Sequence, residues 1–131
     1  MIKFSELKPG NWVLVQNEGT WMEGTVLNVN ADDGGQIEVE TGVQNAWFEI
    51  EELKPLPLEE VHLLKMGFEK EIMESGNSKY KFGPFRVLAG PTKKFTDFLM
   101  WYREEKSHIT YPMTVHQFQN RYEEMVKVPI G

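Results

Sequence analysis

Residues 11–50 run NWVLVQNEGT WMEGTVLNVN ADDGGQIEVE TGVQNAWFEI: four short apolar runs separated by turn-forming clusters, with no helical repeat. Lys8-Pro9-Gly10-Asn11 is a turn signature, since proline presets φ and glycine or asparagine accepts positive φ, and it leads into the strand Trp12-Val13-Leu14-Val15. A turn at residues 17–20 leads to a longer strand over 21–29. Gly24 lies inside it, and glycine within a strand marks a bulge or a close backbone approach. Asp32-Asp33-Gly34-Gly35 reads as a hairpin connection, followed by Ile37-Glu38-Val39-Glu40-Thr41 with strict apolar and polar alternation. A fourth strand over 45–50 follows Gly42. Short strands joined by loops of about four residues match a small SH3-like β-barrel better than a layered α/β arrangement. Trp12, Val26, Val39 and Phe48 are expected to meet in its interior.

Lys54-Pro55-Leu56-Pro57-Leu58 is a proline-set extended connector and marks the boundary between two halves. Beyond it, residues 59–66 read as a short helix with Leu58, Val61 and Leu64 or Lys65 at helical spacing, closed by Gly67. The period then returns to two. Strands are expected over 68–73, 79–82 and 85–89, with residues 74–78 as a hairpin loop. Residues 95–102 are apolar on both faces and read as a central strand, with 107–111 as its partner. Thr114-Val115-His116-Gln117 has the capping-box pattern, in which hydroxyl and amide satisfy free backbone N–H groups of the first turn. Val115, Phe118, Tyr122, Met125 and Val126 then line one stripe of a closing helix.

The fold class expected is α+β: an SH3-like barrel over residues 1–55, then an antiparallel sheet with two helices over 56–131.

Composition narrows the function. The 131 residues contain no cysteine, which excludes disulfides, thiolate zinc sites and cysteine nucleophiles, and gives no sign of an oxidising compartment. No apolar run is long enough to cross a bilayer, and the N-terminus lacks the apolar segment of a secretion signal, so a cytoplasmic protein without a membrane partner is expected. The net charge of −6 is unevenly placed: residues 1–55 hold three basic against ten acidic side chains, and residues 56–131 hold eleven against ten. The acidic half is poorly suited to wrapping a nucleic-acid duplex, whose binding draws on neutralised phosphates.

Catalytic signals are weak. His62, His108 and His116 lie far from one another and from other ligands in helical metal spacing, so no metal is expected. His116, second residue of the closing helix, is expected at the surface or bonded to the strand before it. The pairs Glu51-Glu52, Glu59-Glu60, Glu104-Glu105 and Glu123-Glu124 do not converge, because adjacent residues point apart on helices and strands alike. Asp97 stands inside an apolar run, where it must pair with an arginine or face solvent on an edge. No nucleophile elbow or phosphate cradle is present, and no cofactor is expected.

Sixteen aromatic residues are the remaining signal. Trp21 and Trp47 fall near strand ends, where SH3 and Tudor barrels place aromatics that grip proline-rich or methylated-lysine peptides; an acidic rim suits a basic peptide.

Four segments carry a resemblance. Residues 7–13 (Leu-Lys-Pro-Gly-Asn-Trp-Val), 52–58 with the Leu-Pro-Leu connector, 64–70 (Leu-Lys-Met-Gly-Phe-Glu-Lys) and 115–122 (Val-His-Gln-Phe-Gln-Asn-Arg-Tyr) together resemble a family of small proteins found in Bacteroidales genomes and their phages or mobile elements. The chain departs from that family at Met66, where asparagine is frequent, at Phe118, where leucine is usual, and at Glu59, where a capping threonine is common. The family has no assigned activity. The resemblance implies that His116, Gln117 and Asn120, polar groups on the first turns of one helix, bind the preceding strand or a ligand.

The sequence therefore points to a non-enzymatic binding protein. Trp21, Trp47, His116, Gln117 and Asn120 are its candidate binding residues, and a protein or peptide is its partner. Nucleic-acid association is the alternative, suggested by Lys79, Lys81, Arg86, Lys93 and Lys94. An enzyme with an unrecognised site is third.

Overall fold

A computed structural model describes residues 2–32, 34–91 and 95–131. The described residues form two five-stranded antiparallel sheets and two α-helices. The first sheet contains β1 (Trp12–Asn17), β2 (Thr20–Asn30), β3 (Gln36–Glu40), β4 (Asn45–Glu49) and β5 (Leu53–Lys54) in the order β4-β3-β2-β1-β5. A 3-10 turn over Ile50–Glu52 delivers the chain from β4 to β5. Helix α1 (Glu60–Lys65) precedes a meander of β6 (Glu69–Ile72), β7 (Ser78–Phe82), β8 (Phe85–Ala89), β9 (Phe98–Tyr102) and β10 (Glu105–Ile109), and α2 (Val115–Val126) closes the fold.

Alternation in the first sheet turns Val13, Val15, Val26, Ile37, Val39 and Phe48 to one side, where Ile2, Leu7 and Leu53 complete a buried cluster. Gly24 has the close-approach role: a Cβ there would stand 2.5 Å from Val39 Cγ1 and 3.0 Å from the Glu40 carbonyl oxygen. The bulge itself lies one turn of pleat later, where Leu27 has no register partner between Val26 and Asn28. Gly34 and Gly35 both take positive φ in the β2–β3 connection, while Asp33 of the expected hairpin lies outside the described residues.

Trp12 departs from expectation. It shares its face with Leu14, opposite Val13 and Val15, and both pack against the core of the second half rather than the interior of the first sheet. That core is larger. Leu63, Met66 and Phe68 meet Tyr80, Phe85, Val87, Phe98 and Met100 from the sheet and Val115, Phe118, Tyr122 and Met125 from α2. Phe118 has no exposed surface and sets its ring at 6.0 Å from Phe68 and 6.3 Å from Phe85, both edge-on.

Two further corrections concern the second half. Helix α1 buries His62 and Leu63, followed by the buried cap residue Met66, and leaves Val61 and Leu64 each 45% exposed, so the expected stripe is rotated away from the core. Residues 95–97 form a turn and β9 begins only at Phe98; from there it lies inside the sheet, paired with β8 on one side and with the expected partner β10 on the other. Phe95 is buried from within that turn, which is why the apolar run looked continuous.

The proline connector bridges the halves. Pro57 pairs with Thr114, the Val115 N–H donates to the Leu56 carbonyl at 2.8 Å, and the Leu58 N–H donates to Met113 at 3.1 Å, so the connector lies along the entry to α2.

Candidate functional site

The candidate residues on α2 converge on the N-terminal segment. Asn120 Nδ2 donates to the Glu6 carbonyl at 2.7 Å, and its Oδ1 accepts from Asn11 Nδ2 at 3.0 Å. Gln119 does more. Its Oε1 accepts from the Trp12 N–H at 2.8 Å, and its Nε2 donates to the Gly10 and Ile130 carbonyls at 2.9 and 3.1 Å. His116 is 1% exposed, not on the surface; its ring lies 3.2 Å from Thr114 Oγ1 through Nδ1 and 3.1 Å from Glu6 Oε2 through Nε2. Gln117 accepts from the Thr114 N–H at 3.0 Å, completing the capping box.

The Gln119 and Asn120 amides satisfy backbone groups of Glu6, Gly10, Trp12 and Ile130, and no buried side-chain polar atom lacks a partner among the described residues. The cluster is a clamp that holds the two halves together. Sequence reasoning singled out His116, Gln117 and Asn120 for the preceding strand or a ligand; His116 and Asn120 meet the N-terminal segment instead, Gln117 stays in the cap of α2, and Gln119 was missed, its only signal being its position beside them.

A second histidine lies at the same junction. His62 Nδ1 accepts from the Glu59 N–H at 2.9 Å in the cap of α1, and its ring meets Trp12 edge-on at 6.4 Å. Burial lowers its pKa, although Glu23 and Glu59 oppose the shift. Protonation therefore favours the unfolded chain, in which the group titrates near its ordinary value. The contribution is favourable above about pH 6.5 and declines as pH falls through that value toward the lower folded-state pKa. Urea midpoints are expected to fall between about pH 7.5 and 5, and to fall less in His62→Gln; parallel profiles for the two proteins would show that another group carries the dependence.

The structure separates the two candidate tryptophans. Trp21 pairs with Gln16 at the start of β2 and lies beneath Lys54, whose Nζ stands 4.1 Å from the ring centroid. Trp47 lies on β4, an outer strand, in register with Glu38, which is itself in register with Asn28, seven residues further along β2 than Trp21. It is 47% exposed, on the side opposite Phe48. Glu38, Glu40 and Glu49 share its face; Asn28 donates to Glu38 at 2.7 Å and Gln36 to Glu49 at 3.2 Å. The result is an acidic face with one uncovered aromatic.

The second sheet presents the opposite charge. Its inner side carries the core, and its outer side carries two cross-strand rows. One runs Glu69, Lys81, Arg86, Trp101, Lys106 and the other Glu71, Lys79, Leu88, Leu99, His108. Lys106 Nζ stands 4.4 Å from the centroid of Trp101, and Trp101 Nε1 donates to the Arg103 carbonyl at 2.6 Å. Arg86 Nη1 donates to the Gly83 and Phe85 carbonyls, which fixes the guanidinium beside the sheet. Lys93 and Lys94 lie outside the described residues.

Asp97 finds a histidine rather than an arginine: His108 Nε2 is 2.6 Å from its Oδ1, with both side chains more than half exposed. The pair borders an open depression, and among the described residues no third side chain hydrogen-bonds to His108. Among the described residues no cluster of three metal-ligating side chains occurs, and no helix is long and apolar enough to cross a membrane.

Comparison with protein-family models, with curated proteins and with solved structures returned no match.

Proposed function

We propose that the chain is a non-enzymatic binding protein whose first sheet takes a cationic, extended peptide segment across Trp47. The uncovered Trp47 among Glu38, Glu40 and Glu49 on an outer strand carries this reading. Among the described residues only β3 pairs with β4, so an extended peptide adds main-chain bonds along its other edge. Its lysine or arginine side chains meet the carboxylates and the indole face. The strand order β4-β3-β2-β1-β5, with a 3-10 turn before β5, supports an SH3-like reading of the half. An association with phages or mobile elements rests on the sequence resemblance alone.

The test is calorimetric titration with a synthetic peptide of alternating lysine and valine. Trp47→Ala is expected to weaken binding about tenfold, in keeping with about 1–2 kcal/mol for a tryptophan that covers a cation. Trp21→Ala, which alters a distant ring already covered by Lys54, is expected to leave it unchanged. Equal affinity for wild type and Trp47→Ala rejects this surface.

A further inference from the structure

The outer side of the second sheet is a separate surface, and its chemistry is the reverse of the Trp47 face. Alternation along β7, β8, β9 and β10 sends Lys79, Lys81, Arg86, Trp101 and Lys106 to the side away from α2, while Tyr80, Phe85, Val87 and Met100 go into the core. Arg103 joins them from the β9–β10 turn, where it holds positive φ. A shallow cavity of about 270 Å³ is lined by Lys79, Pro84, Arg86, Trp101 and Arg103 and contains no carboxylate. The acids near this side are Glu69 and Glu71 on the outer strand β6, where Glu71 pairs with Lys81 at 3.4 Å, Asp97 paired with His108, and Glu104, which follows Arg103 in the β9–β10 turn. In a chain of net charge −6, such a concentration of cations around one half-buried tryptophan is not a sample of the average surface.

We infer that this face binds single-stranded nucleic acid, with phosphates over Lys79, Arg86, Arg103 and Lys106 and a base stacked on the face of Trp101 that Lys106 covers in the free protein and leaves as its ammonium turns to a phosphate. Charge complementarity selects a polyanion. The aromatic at the centre of the cations selects one with exposed π-faces, which a duplex keeps inside its stack. The indole N–H is already engaged by a backbone carbonyl, so the ring offers stacking without base-specific hydrogen bonding, and weak sequence preference follows. The inference is independent of the peptide surface around Trp47.

Fluorescence polarisation of a labelled single-stranded oligomer of about 12 nucleotides, at about 50 and 200 mM salt, tests it. Binding is expected at the lower salt and strongly weakened at the higher. Trp101→Ala is expected to weaken it about tenfold and Trp101→Phe much less, because phenylalanine keeps a stacking ring. Lys79→Gln and Lys106→Gln each lower the salt slope by about one, and neither removes a core group. Trp47→Ala leaves oligomer binding unchanged, so failure here and failure of the peptide reading are distinguishable. Should Trp101→Ala lose its fold by circular dichroism, the phenylalanine and glutamine variants decide. The inference is overturned by absence of binding at low salt, by equal affinity of wild type and folded Trp101→Ala, by a duplex that binds as tightly as the single strand, or by polyglutamate that competes equally well.

Discussion

Phe118→Ala is expected to lower the unfolding free energy by about 3–5 kcal/mol, a large share of the roughly 5–15 kcal/mol that holds a domain folded. Phe118 is wholly buried and sets its ring edge-on against Phe68 and Phe85. Removing it takes apolar area out of the core and leaves a cavity between α2, strand β8 and Phe68, whose backbones are fixed by strand pairing and by the Phe68 N–H bond to the Leu63 carbonyl, so the site cannot collapse far. Phe118→Leu, which keeps most of the volume, is expected to cost about 1 kcal/mol. Urea unfolding followed by far-ultraviolet circular dichroism measures both. A cost for Phe118→Ala near that of Phe118→Leu would mean that α2 is not seated in the core as described.

Gln119→Leu is expected to cost about 3 kcal/mol, although it keeps the size of the side chain and adds apolar surface. The amide satisfies three backbone groups at once: the Trp12 N–H, the Gly10 carbonyl and the Ile130 carbonyl. Leucine leaves them without their partner in a place where Gln119 itself is only 3% exposed. An unmade bond to a buried group costs about 1–3 kcal/mol, and water entering beside residues 129–131 relieves part of the total. Asn120→Ala, which loses the Glu6 carbonyl and Asn11, is expected to add a smaller loss, and the two should be non-additive because Asn11 and Trp12 are consecutive. If Gln119→Leu unfolds at the same urea concentration as the wild type, the amide contacts do not join the halves.

Much of the fold was legible where local chemistry and hydrophobic period agree. The capping box at Thr114 and the stripe Val115, Phe118, Tyr122 and Met125 define α2 from the residues alone, because twelve residues give the period three full turns in which to show itself. Helix α1 has six residues, too few to fix a face, and Leu63 rather than Val61 proved to point inward. Trp12 shows a different limit. Alternation tells which side chains share a side of a strand, but not which of two cores that side will meet.

The candidate sites were legible only in part for a related reason. His116 is buried because Glu6, 110 residues earlier, stands beside it, and no local pattern reports so distant a partner. The outer rows of the second sheet depend on register: Lys81, Arg86, Trp101 and Lys106 come from four strands, and a one-residue slip in any of them would scatter the row. Lys79, Lys81 and Arg86 were visible as cations, whereas the place of Trp101 among them was not. Trp21 and Trp47 were visible as aromatics near strand ends, but only the strand order shows that they serve different parts of the sheet.

Both binding surfaces rest on α2 holding two sheets as one body, with the Trp47 side of one and the Trp101 side of the other left free. Amide-resolved urea unfolding measures this directly, with β3 and β8 as reporters of the two sheets, in the wild type and in Gln119→Leu. The two strands are expected to lose protection at one shared midpoint in the wild type and at separate midpoints once the clamp is removed. Separate midpoints in the wild-type protein would contradict the account.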